Sequence, residues 1–199
     1  MKVSRWTVAG LLGVVVASGA AQAHDNKDPY TASEAGKSIP PAAALDVMLS
    51  QFETELIRVA EAMPAEKYSF RPTAGAFSVG SPAKFASVRS FAEELTHIVG
   101  TNYYLYSRVS GEATPIEAKQ VRDLETKGEI LPALKQSFAY AHKQIAMVTP
   151  QRAFIGIEGV DGMHTPATLA AFGVAHGYDH YGQLVEYLRM NGVVPPGSK

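Results

Sequence analysis

His176-Gly177-Tyr178-Asp179-His180-Tyr181-Gly182-Gln183-Leu184 is the stretch that decides how this chain reads. It lies inside a run that opens on Thr165-Pro166 and closes on Asn191-Gly192, ahead of Pro195-Pro196. A threonine hydroxyl can take up an amide that a first helical turn leaves unpaired, and proline suits the first helical position because no N–H is needed there. Between these marks Leu169, Phe172, His176, His180, Leu184 and Tyr187 recur every three or four residues, which is one face of an α-helix. The spacing predicts a helix over 166–190 that carries two histidines one turn apart on its apolar side.

Working outward, three more segments show the same period. Over 41–63, Leu45, Met48, Leu49, Phe52, Leu56, Val59 and Met63 make one apolar face, with Pro40-Pro41 before it and Pro64 after it. Over 85–109 the stripe is Val88, Phe91, Leu95, Ile98, Asn102 and Tyr106, and Gly111 supplies the stop. A third segment starts at 124 or 129 and runs to 148 on Ile130, Leu134, Phe138, Ile145 and Val148, with Pro132 expected in its first turn. The loop over 64–82, broken by Pro72, Gly75, Gly80 and Pro82, is long enough to pack over the helices. No strand-like alternation and no internal repeat is present. The fold expected over 41–196 is all-α, an up-down four-helix bundle into which side chains of facing helices can project.

The bulk composition fits one such domain. The chain has 199 residues, of which 46% are hydrophobic and 19% charged, with a formal net charge of -1. That balance gives no basic stripe for nucleic acid and no attraction to an anionic membrane. The absence of cysteine excludes a disulfide framework, a thiolate metal site and a cysteine nucleophile. Any metal ligands must be nitrogen or oxygen.

The amino-terminal end reads as a secretory signal. Lys2 and Arg5 precede the apolar and small residues from Val8 to Ala20, and Ala21-Gln22-Ala23 matches a small-x-small cleavage site. The apolar run is short for a membrane span, which needs about 20 residues. Residues 1–23 are thus expected to be removed, and Trp6 with them, leaving a flexible tail over 24–40 that begins with His24. The expected location is outside the cytoplasm, in a bacterial periplasm, with no membrane attachment after cleavage.

Six histidines are available: His24, His97, His142, His164, His176 and His180. Two imidazoles four apart on a helix can share one ion at about 2.0–2.1 Å each. The same pair also suits hydrogen-bonded core histidines or a solvated helix edge. No glutamate sits beside His176, so the helix-borne base of a zinc protease is not indicated. His97 lies midway along the second helix, one turn after Glu93 and Glu94, either of which could orient its ring. On a helical wheel, however, His97 falls off the stripe of Val88, Leu95 and Val99, and periodicity alone places it toward solvent. His142 reads as exposed, and His164 as a loop residue before the last helix. Gly100, Gly173 and Gly177 fall inside predicted helices, where close helix approach or room for an ion would explain them.

Two stretches resemble the DinB-like family of metal-binding four-helix bundles. One is Arg89-Ser90-Phe91-Ala92-Glu93-Glu94-Leu95-Thr96-His97-Ile98-Val99-Gly100-Thr101-Asn102-Tyr103. The other runs from His176 to Leu184 and on through Tyr187-Leu188-Arg189-Met190-Asn191-Gly192 to Val194-Pro195-Pro196. Phe70-Arg71-Pro72 and Ser78-Val79 resemble the loop ahead of that family's second helix. In such proteins one histidine from the second helix and two, four apart, from the last helix bind a divalent cation, and water fills the open positions. The resemblance implies that His97, His176 and His180 bind one divalent ion here, with zinc, nickel and iron all suited to imidazole. An exported chain makes the cytosolic thiol cofactor of some relatives less expected.

Three neutral ligands with open positions suit catalysis better than a closed structural site. The first expectation is a metal-dependent hydrolase or transferase acting on a small molecule, with Glu93, Glu94, Tyr178, Asp179 and Tyr181 as local acid–base options. The second is a non-catalytic periplasmic metal- or ligand-binding module. The third is a structural protein with vestigial histidines. A homodimer paired through a helix face is open.

Overall fold

Ser90, Thr126 and Thr165 each close a capping box, and these boxes set where three of the four long helices begin. In each, the hydroxyl accepts from the amide three residues on, and that residue's side chain accepts from the capping residue's own amide. The structure, a computed structural model, describes residues 36–73 and 88–198. The expected signal segment, His24 and most of the tail lie outside these residues. The helices are α1 (Pro41–Ala62), α2 (Phe91–Ser110), α3 (Ala118–Arg122), α4 (Lys127–Ile145) and α5 (Pro166–Met190). No helix among the described residues is long and apolar enough to cross a membrane.

The expected helical bundle is observed. α1 packs on α4 and α5, and α2 packs on the same two helices, so α1 and α2 occupy one diagonal. α1 and α2, and likewise α4 and α5, are thus joined across a diagonal and not to a neighbour. The described part of the first crossing packs as expected. Tyr68 is buried, its hydroxyl donates to the Ala60 carbonyl at 2.7 Å, and its ring meets Phe91 edge-on at 5.2 Å. The carbonyls of Phe70 and Tyr68 then accept from the amides of Phe91 and Ala92, taking up two donors of the first turn of α2.

Several boundaries differ from the sequence reading. α2 starts at Phe91 and not near 85, because residues 88–90 are not helical and Ser90, in extended conformation, is the cap. The apolar period runs through the cap and includes Val88, which is not helical. α4 starts at Lys127, so Pro132 sits in the second turn and not the first. There its missing N–H leaves one internal bond unmade. α3 is a single short helix that buries only Val121 and packs on α2. Its five residues are too few to print a period. Met48, read as part of the α1 stripe, is exposed, whereas Leu49, Phe52, Leu56 and Val59 are buried.

Two glycines of α5 set its distance to the neighbours. A Cβ on Gly177 would lie 2.2 Å from Phe52 Cζ, and one on Gly173 would lie 2.8 Å from the Tyr106 hydroxyl. Close helix approach, and not room for an ion, is the reason for both.

Candidate metal centre

The neighbouring faces of α2 and α5 bring His97, His176 and His180 together. One nitrogen from each ring lies within 4.8 Å of the other two. The ring centroids of His97 are 5.3 Å from His176 and 4.6 Å from His180. Within α5, the Nε2 atoms of His176 and His180 are 3.3 Å apart. Two ligands at 2.0–2.1 Å on a tetrahedral ion would be separated by about 3.3 Å. The donor set, three imidazoles and no thiolate, and this spacing are both compatible with metal binding.

The tautomer of His180 is set from behind. His180 is buried, and its Nδ1 lies 2.7 Å from Oε2 of Glu94, itself only 2% exposed. A carboxylate accepts, so Nδ1 carries the proton and Nε2 turns its lone pair toward the other two rings. Glu94 therefore orients His180 on the opposite helix and not its own neighbour His97. Glu93 serves neither ring. Its carboxylate accepts from the Ser90 amide at 2.6 Å and from Arg71 at 3.0 and 3.1 Å, which holds its acid well below the usual carboxylate range.

His97 and His176 suit a ligand role at neutral pH. Burial, followed by the charges of Arg89, His180 and His176, pulls His97 down to about 4. Burial and the neighbouring His180 also lower His176, against the opposing pull of Asp179 and Asp161. Rings with lowered values keep their lone pairs free.

His97 faces the cluster although its helical wheel position places it toward solvent. α2 contacts α3, α4 and α5, so its buried surface wraps most of the helix and a single stripe does not describe it. His97 sits at the margin of that surface, half-buried. Of the five acid–base options, Glu94 alone hydrogen-bonds a triad ring. Asp179 is exposed, while Tyr178 leans on Phe52 at 5.0 Å and on Tyr181 at 5.8 Å, toward α1. His164 is exposed and outside the cluster. His142 is not exposed as expected. It is half-buried between α4 and α1, with Nδ1 2.5 Å from Asp46 and Nε2 3.1 Å from Glu53.

A cavity of about 760 Å³ opens beside His97 and extends along α2 to α3. Arg71, Arg89, Tyr104, Ile116 and Arg122 line it with His97. Arg89 opens the stretch that resembles the family, with no role implied for it there. Nothing local marks it as a cavity residue, because the cavity forms only where α3 packs on α2. A family model described as the DinB superfamily matches residues 48–184, a span that includes all three histidines. No curated protein matches the chain.

Proposed function

Since this chain belongs to the DinB superfamily, we propose that His97, His176 and His180 hold one divalent cation and that the loaded protein is a hydrolase or transferase of a small molecule. The observation that carries this reading is the 3.3 Å separation of the His176 and His180 Nε2 atoms, with Glu94 fixing the tautomer of His180 from behind. Zinc, nickel and iron all suit three imidazoles. A divalent ion in such a site lowers the pKa of a bound water and polarises a carbonyl or phosphoryl oxygen.

The chain's own residues have distinct parts in this reading. The three rings bind and leave positions open. Glu94 keeps the proton of His180 on Nδ1. The cavity at His97 gives a small molecule access from the α3 side, which supports turnover over a non-catalytic binding module. The signal-like pattern of Lys2, Arg5 and Ala21-Gln22-Ala23 supports work in the periplasm.

Elemental analysis of the purified mature protein tests the proposal. The wild-type chain is expected to carry about one ion of the site's metal, and a His176→Ala, His180→Ala double variant only background metal. Equal metal in both overturns the assignment.

A further inference from the structure

We propose that the cavity beside the triad takes a small molecule bearing a carboxylate or phosphate, and that Arg89 is the residue that binds the anion. This inference deepens the metal-centre reading, but the contact with Arg89 does not itself require the ion.

Three guanidiniums and two carboxylates line the cavity. Arg71, Arg89 and Arg122 face Glu93 and Glu117. The carboxylate of Glu93 is taken up by Arg71 and the Ser90 amide. Arg71 is thereby neutralised in place. Glu117 precedes α3, where its amide donates to Gln120 Oε1 at 3.1 Å, and its carboxylate makes no ion pair among the described residues. Arg122 makes no ion pair among the described residues. For Arg89 the nearest carboxylate oxygen is Oε1 of Glu94, 4.0 Å away, and the other oxygen of that group is bound to His180. The cavity thus holds more guanidinium than it satisfies.

Arg89 is also placed for the task. Its carbonyl accepts from the Tyr187 hydroxyl at 3.1 Å, which ties its backbone to α5. Its side chain is 45% exposed, and its charge acts on both His97 and His176. A guanidinium offers a planar fork that matches two oxygens of a carboxylate or phosphate. An anion held there lies in the cavity that His97 also lines. The rest of the wall suits an apolar body. Ile116 and Val121 line the α3 side, and a Cβ on Gly100 would meet only Val121, at 3.9 Å, so the floor is open. The volume is that of a small-molecule pocket, for which roughly 300–1,000 Å³ is usual.

Amide NMR of the mature chain, metal-free and zinc-loaded, tests this with three probes: inorganic phosphate on the metal-free chain, and acetate and uncharged acetamide on both forms. Phosphate or acetate is expected to shift amides of residues 96–104 and 118–122, acetamide is not, and the stronger of the two anions identifies the preferred group. Arg89→Gln is expected to weaken the anion about tenfold in the metal-free chain, with the remaining amide pattern unchanged as proof of folding. Equal affinity in the variant and the wild type, or shifts that map elsewhere, overturns the proposal. If zinc fails to perturb the histidines while the anion still depends on Arg89, the metal reading fails and this one stands. If zinc binds and the anion ignores Arg89, the reverse holds.

Discussion

At the residue scale the decisive contact is the one between Glu94 and His180. A buried carboxylate behind a ligand imidazole fixes its tautomer and raises its basicity, and losing such a partner costs about 10- to 100-fold in metal affinity. Glu94→Gln is expected to weaken the metal by that order, read by competition with a chromophoric chelator, while Glu93→Gln leaves affinity within about twofold because an exposed ion pair with Arg71 contributes little. Similar losses in both variants contradict the division of labour. The histidine pair of α5 was legible from spacing alone, since i and i+4 share a face. His97 was not, because a wheel describes a helix with one buried stripe and α2 is enclosed by three neighbours. Family likeness supplied it. The partner of Glu94 was unreadable for a related reason: Glu94 and His180 are distant in sequence and meet only because α2 and α5 pack together.

At the scale of elements, two glycines of α5 carry opposite predictions. Gly177 faces the buried Phe52 ring, which is boxed in by Phe138 and Tyr178 and has nowhere to move. Gly177→Ala is expected to cost about 1–3 kcal/mol through overpacking, beyond what helix propensity returns. Gly182, on the same helix, has nothing within 4 Å of an added Cβ, so Gly182→Ala is expected to gain about 0.5–1 kcal/mol. Thermal unfolding of the two variants checks both signs. His142 clasps α4 to α1 between Asp46 and Glu53. Burial lowers its affinity for a proton, but hydrogen bonds and charge from the two carboxylates outweigh this, and its folded value is raised. A raised value means that the clasp contributes fully below the unfolded histidine value and fades as pH rises through the folded one. His142→Gln is therefore expected to destabilise the protein more at pH 6 than at pH 9, by denaturant unfolding at the two values. An equal loss at both contradicts the clasp. The capped starts of α4 and α5, Thr126 and Thr165, illustrate what the sequence carries well and less well. Thr165-Pro166 marks its helix directly, while the start of α4 stayed open between two positions because its apolar stripe begins only at Ile130, after the cap.

For the whole molecule, the triad lies at the edge of a core that is complete without it. Phe52, Phe91, Leu95, Phe138 and Leu184 are buried against one another across the bundle and do not depend on an ion. The metal-free chain is accordingly expected to keep its helical circular dichroism. Zinc at a hundred times its dissociation constant would add about 2.7 kcal/mol by mass action, or a rise in Tm of roughly 5–10 °C for a chain of this size. Chelator should reverse the rise without loss of helix. The central claim, three rings from two helices on one cation, is tested most directly by X-ray absorption of the zinc-loaded protein and its His97→Ala variant. Three imidazole nitrogens at about 2.0–2.1 Å are expected in the wild type and two in the variant. An absence of imidazole scattering, or a count that ignores the loss of His97, contradicts it.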